Sequence, residues 1–350
     1  MIQATPVPFV HVDRIRALLG TPAALRRLAV ASIIANVGIV ITGGAVRLTG
    51  SGLGCPTWPR CTEDSFVTTP EMGIYGVIEF GNRLLTYVVG LIALLGLVSA
   101  LLQRRRSRRT VLLAGAVLAQ IPAQAVVGGI TVLTDLNPWV VGCHFLVSMV
   151  IIGFTYALWR SAIADTAPLD RPTWAAPRAL RHLGLAVLAA TAVTLFLGVV
   201  VTGSGPHAGD ADARRDGLDP EAVTQLHADG VFLLVGLSLG VLFAVWAVDA
   251  PRVVRRAAAV LLLVELAQGL VGLVQYVTDL PRLLVAAHMA GSCAVLLAAL
   301  AVYANLRRAY RTPLTPVHAQ LPDALTRPQP PTEPRTRPRT QPRKAKAKTK

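Results

Sequence analysis

Three histidines stand out because each sits near the start of a long apolar run: His144, His227 and His288. Two of them belong to copied sequence. Gln124-Ala125-Val126-Val127-Gly128, Thr134-Asp135-Leu136 and His144 return as Gln268-Gly269-Leu270-Val271-Gly272, Thr278-Asp279-Leu280 and His288. The offset is a constant 144 residues and the Gln-to-His spacing is 20 in both copies. The flanks repeat as well, since Gly38-Ile39-Val40-Ile41-Thr42-Gly43 is echoed by Gly198-Val199-Val200-Val201-Thr202-Gly203. An ionisable ring kept at one place in duplicated apolar sequence marks a paired intramembrane site.

The fourth equivalent position holds Asn82, so the two halves carry the pairs Asn82/His144 and His227/His288, separated by 62 and 61 residues. Two neutral imidazoles on opposed helices supply both axial positions of a six-coordinate heme iron, and bundle interiors are common heme sites. A lone membrane histidine also serves as a hydrogen-bonded packing residue; the repetition favours ligation. Zinc fits less well, because no Cys/His/carboxylate cluster offers four tetrahedral ligands. His207, in a Gly/Asp-rich loop, and His182, at a helix edge, read as solvated or packing residues.

Glu79 lies three positions before Asn82, on the same helix face and near the helix N-terminus. It is suited to moving protons beside a first-half heme, and equally to favouring the helix dipole. The second half has Thr224 there, so the halves are chemically unequal. Cys55 and Cys61 flank Pro-Thr-Trp-Pro-Arg. In an oxidising compartment they are compatible with a disulfide, either a structural staple or a redox-labile bond. Cys143 and Cys293 fall inside apolar runs and read as packing residues. Arg83 and Arg282 suit either pairing with heme propionates or snorkelling to headgroups.

These side chains must be positioned by membrane helices. Apolar residues make up 53% of the chain and charged ones 15%, with a mean hydropathy of +0.55. Eight runs at 28–47, 78–102, 111–131, 140–159, 183–202, 226–248, 254–275 and 284–304 reach the roughly 20 residues a spanning helix needs. The first run exceeds the apolar core of a cleaved signal peptide and is expected to be retained. All Lys and Arg lie on one side of these spans except Arg47, Arg60, Arg83, Arg214, Arg215 and Arg282. That bias makes both termini cytoplasmic in a cell-membrane, multi-pass protein.

The expected fold is all-α: eight transmembrane helices as two pseudo-symmetric four-helix bundles, parallel repeats about an axis along the membrane normal. A cytoplasmic segment over 1–27 precedes the N-terminal bundle at 28–160. A linker over 161–182, with Pro168, Pro172 and Pro177, leads to the C-terminal bundle at 183–306, and a basic tail follows over 307–350. The net charge of +15 is concentrated in that tail, whose Pro/Thr/Arg/Lys composition predicts disorder and contact with anionic membrane lipid rather than nucleic acid.

The ordered set Gly50-Ser-Gly-Leu-Gly-Cys-Pro-Thr-Trp-Pro-Arg-Cys61, Ile78-Glu79-Phe80-Gly81-Asn82-Arg83-Leu84, Cys143-His144-Phe145, Gln225-Leu226-His227-Ala228 and Ala287-His288-Met289 resembles the heme A synthase family of cytochrome oxidase assembly enzymes. The resemblance covers all eight spans. It implies oxidation of the C8 methyl of heme O to a formyl group, with heme b in the C-terminal half on His227 and His288. It places the substrate heme on His144 near Glu79, and it implies a Cys55–Cys61 disulfide. A heme O-producing farnesyltransferase and an electron donor are the partners it suggests; homo-oligomerisation stays open. In part of the family an E-x-x-H motif supplies a histidine where this chain has Asn82. An amide is a poor iron ligand, and a heme held by His144 alone keeps a coordination position open for chemistry.

A diheme carrier linked to quinol, without heme modification, is the competing expectation. The Glu79/Thr224 inequality and the missing fourth histidine weigh against it. A transporter would need Gly/Pro-broken spans at midmembrane, and the sequence offers no such pair.

Overall fold

Helix starts follow the sequence punctuation. Thr21 caps α2 (Pro22–Leu48), its hydroxyl accepting the Ala24 N–H at 3.1 Å with Pro22 in the first turn. Ser107 does the same for α4 (Arg108–Leu133), and Asp219 with Pro220 opens α7 (Pro220–Ala247). The computed structural model describes residues 10–164 and 174–308. Residues 1–9 of the expected N-terminal segment, the Pro168/Pro172 part of the linker and the basic tail beyond 308 lie outside the described residues.

The remaining long helices are α3 (Gly73–Leu102), α5 (Pro138–Ala164), α6 (Arg178–Ser204), α8 (Arg252–Val277) and α9 (Arg282–Leu306). All eight expected spans are thus helical, and each is long and apolar enough to cross a membrane. The chain is an all-α polytopic membrane protein. Beyond expectation, a short helix α1 (Val10–Leu19) precedes the first span and packs on α3, where the Ser99 hydroxyl donates to the Leu19 carbonyl at 2.6 Å.

Helices α2 to α5 contact one another in a ring, as do α6 to α9; α2 and α5 meet α6 and α9 between them. Each ring has its own buried seam, with Ala29, Ala93, Val117 and Leu158 in the first and Val187, Val241, Leu261 and Val302 in the second. Val40, Met149, Ile152, Cys293 and Leu296 fill the joint between rings. Alanines recur in both seams, because helices in lipid associate by close packing rather than by hydrophobic exclusion. Large side chains such as Leu270, Phe232 and Phe243 face outward, as a lipid-bathed surface allows.

The duplicated Thr-Asp-Leu turns adopt matching backbone conformations. Asp135 and Leu136 have φ of 51° and 57°, and Asp279 and Leu280 both have 58°. Two consecutive non-glycine residues at positive φ cost free energy. Both copies spend it at the tight reversal that delivers the chain into the histidine-bearing helices α5 and α9.

Candidate functional site

One cavity of about 790 Å³ runs through both rings near the end where the loops 49–72 and 205–219 lie, the loop side. His144, His227, His288, Asn82, Glu79 and Arg83 all line it. The four equivalent positions are therefore gathered in one space, the histidines six or seven residues and Asn82 nine residues inside their helices.

The rings are seated by glycines. A Cβ placed on Gly128 of α4 would stand 3.1 Å from Cε1 of His144; on Gly198 of α6, 3.2 Å from Cε1 of His227; on Gly272 of α8, 3.0 Å from Cε1 of His288. Each histidine lies on a bare stretch of the preceding helix, so close that a Cβ there would push the ring aside by a few tenths of an ångström. The seats are braced alike, since Gln124 Nε2 donates to the His144 carbonyl at 2.8 Å and Gln268 Nε2 to the His288 carbonyl at 2.7 Å. That explains the copied Gln-to-His spacing. Nδ1 of all three histidines is buried, and all three rings line the cavity.

His227 and His288 face one another with ring centroids 6.4 Å apart and planes at 73°. Imidazole nitrogens bonded at about 2 Å to one metal between them give centroids roughly 6 Å apart, so this pair fits bis-histidine coordination of a heme iron. Among the described residues no group of three or more His, Cys, Asp or Glu gathers as a chelating site would; two axial nitrogens in an apolar cavity suit a metal carried by its own macrocycle.

The first ring differs. Asn82 Oδ1 accepts from Thr42 Oγ1 at 2.7 Å. Gly38, the sequence counterpart of Gly198, has nothing within 4 Å of where a Cβ would stand. The amide lies instead against the Thr42–Gly43 stretch of α2, where a Cβ on Gly43 would stand 3.8 Å from Asn82 Nδ2.

Glu79, 6% exposed, is held on both oxygens. Oε2 accepts the Cys55 N–H at 2.5 Å and Oε1 accepts Arg83 Nη2 at 2.5 Å. Arg83 also donates to the carbonyls of Cys55, Thr57 and Arg60, so its guanidinium is committed to the loop. Cys55 and Cys61 are disulfide-bonded, both fully buried. The loop they close lays the Trp58 indole across Gly129, where any side chain would overlap the ring, and Trp58 lines the cavity next to the His144 seat. The second half has Leu273 in place of Gly129, so this cap belongs to the first half alone.

Arg282 is exposed and absent from the cavity lining. Arg47, which the sequence reading only counted, lines the cavity and donates to the carbonyls of Thr202, at 2.7 Å, and His207. Its position at the end of α2, inside the Gly43–Arg47–Gly50 stretch, was the available signal. His207 packs, its Nε2 2.9 Å from the Leu280 carbonyl, and His182 is exposed. Cys293 is buried as expected, whereas Cys143 is exposed on the outer face of α5, because the glycine-seated ring of His144 next to it takes the inward side. The sequence reading also missed Glu265, a buried carboxyl in the middle of α8 that lines the same cavity; an acid alone in an apolar span was the signal.

The chain is similar to known proteins. Residues 26–211 match the sequence profile of a family described as cytochrome oxidase assembly protein. Curated heme A synthases are similar to it. That of Alkalihalophilus pseudofirmus is 28% identical over 144 residues, 40% of this chain and 48% of that protein. That of Lysinibacillus sphaericus is 32% identical over 142 residues, 40% and 44%. That of Bartonella bacilliformis is 24% identical over 329 residues, 78% and 89%. The chain spans about half the length of the first two relatives.

Proposed function

This chain belongs to the heme A synthase family of cytochrome oxidase assembly proteins, and from that footing we propose that it oxidises the C8 methyl of heme O to a formyl group, giving heme A. The observation that carries the reading is the inequality of the two halves. His227 and His288 stand at bis-histidine spacing, while the cavity of the first half offers His144 and, at the fourth position, Asn82 bonded to Thr42.

His227 and His288 would hold a resident heme b, which when bound supplies one-electron storage. His144 takes the substrate heme. Asn82, too short to coordinate in place of a histidine, keeps the opposite face open for oxidation. Trp58 and the disulfide loop close the first-half cavity and exclude water from the loop side. Glu79, fixed by Cys55 and Arg83, accepts a proton at its carboxylate as the methyl group is oxidised. Arg47 presents a cation for a substrate carboxylate. In this reading the arginine-rich side is cytoplasmic in the cell membrane. Heme O arrives from a farnesyltransferase, and a separate donor exchanges electrons with the second half.

Expression in a host that makes heme O but no heme A tests the proposal. Extracted pigment should contain a formyl-bearing heme. Extracts holding only heme B and heme O, with the protein folded and heme-loaded, would end it.

A further inference from the structure

Glu265 has no part in that mechanism, and its surroundings demand one. It is 3% exposed, near the middle of α8. Oε1 accepts the Ser238 hydroxyl of α7 at 2.8 Å, whereas Oε2 is buried with no partner. Among the described residues its carboxylate joins no ion pair. Nothing in the first half matches it, since the duplicated frame places Ile121 there. A carboxyl at membrane depth without a cation is costly, and such groups are retained for proton or ion movement.

The same cavity wall carries His227 and His288. Gly272, the seat of His288, lies seven residues further along α8, which sets Glu265 about 10 Å deeper along the axis. The titratable and charged groups on the helices packed against α8 are few. On α7, Ser238 is its hydrogen-bond partner and His227 lines the same cavity, whereas Asp229 is exposed outside it. On α9, the Cys293 thiol is buried and His288 lines the cavity, whereas Arg282 is exposed outside it. On α8 itself, Arg255 and Arg256 lie nine or ten residues away at the opposite end.

We propose that Glu265 is a proton site coupled to the redox state of the iron held between His227 and His288. This rests on the reading that those rings hold heme b. One electron added at the iron makes the pocket more negative, and at this separation it raises the proton affinity of a carboxylate about tenfold. Reduction therefore draws one proton onto Oε2, and oxidation releases both. The second half then carries electron and proton together and avoids an uncompensated charge in lipid.

The test is a potentiometric titration of the purified, heme-loaded full chain at several pH values, followed by absorbance with dithionite as reductant. The wild-type midpoint potential should fall with rising pH between the proton affinities of Glu265 in the oxidised and reduced states. The fall amounts to about 59 mV for a tenfold affinity difference in a one-electron couple. E265Q keeps the shape and the Ser238 contact but cannot titrate, so its potential should be flat across that window with an unchanged low-spin spectrum. S238A removes the donor to Oε1, disfavours the carboxylate and should move the window to higher pH. A slope that persists in E265Q, or a window that S238A leaves in place, overturns the coupling while the heme reading stands. A wild type with no His/His low-spin heme overturns both.

Discussion

The Cys55 backbone N–H donates to Oε2 of Glu79 at 2.5 Å, which makes the disulfide loop and the buried carboxylate one mechanical unit. Arg83 closes the unit, holding Glu79 with one edge of its guanidinium and three loop carbonyls with the rest. The loop thus positions the acid, and the acid positions the loop.

Replacing Glu79 with Gln keeps the size and one acceptor but removes the charge that pairs with Arg83. Turnover of heme O should fall about a hundredfold or more, the range of a lost acid–base group. Heme b content should stay at the wild-type ratio, because His227 and His288 belong to the other ring. Wild-type turnover in E79Q would reduce Glu79 to a structural anchor.

Cys55→Ser with Cys61→Ser removes the staple from a short loop, a loss of about 2 kcal/mol of local stabilisation. Arg83 still grips the carbonyls, so the protein should fold and bind heme b. Trp58 should leave Gly129, however, and the loop 55–61 should become the first site of limited proteolysis. Equal protease resistance in the double variant would mean that the hydrogen bonds alone hold the cap.

Asn82→His should complete the first ring. Position 82 already lines the cavity, and the glycine next to it, Gly43, leaves 3.8 Å between a would-be Cβ and the amide. On loading with heme O, electron paramagnetic resonance should show a second low-spin species and formyl product should drop about tenfold or more, since a saturated iron favours electron transfer. A high-spin substrate heme in this variant would show that position 82 does not reach the iron.

Gly272→Ala and Gly38→Ala form a matched pair. A methyl at Gly272 would press on Cε1 of His288 at 3.0 Å, so the ring must shift by a few tenths of an ångström and the heme-to-protein ratio should fall. A methyl at Gly38 meets nothing and, as alanine favours helix over glycine by about 1 kcal/mol, should leave heme content unchanged with equal or higher thermal stability. Identical behaviour of the two would discount the seats.

His227→Ala and His288→Ala should each abolish the low-spin heme spectrum of the second half. On the proposed reading each removes one of two axial nitrogens, so a retained spectrum in both would move the resident heme elsewhere.

The spans were legible because lipid demands long uninterrupted apolar helices, and the histidine positions were legible because the sequence repeats them. What seats the rings was not. Glycines 38, 128, 198 and 272 are scattered among many others in apolar runs, and only packing separates those under an imidazole from those in open space. Trp58 and Arg47 escaped for a different reason: their partners, Gly129, Thr202 and His207, lie far away in sequence. Glu265 was readable as an isolated acid, yet it has no counterpart in the copied frame that directed attention to the histidines. Arg282 shows the converse, a plausible helix-end cation whose direction only the fold reveals.

Arg47 and the Gly52 amide reach across from the first ring to carbonyls of the second, Gly52 N–H meeting the Gly209 carbonyl at 2.8 Å. A fragment ending after α5 would strand both donors at a raw rim with nothing to receive them. The copied halves thus share one hydrogen-bonded rim as well as one cavity.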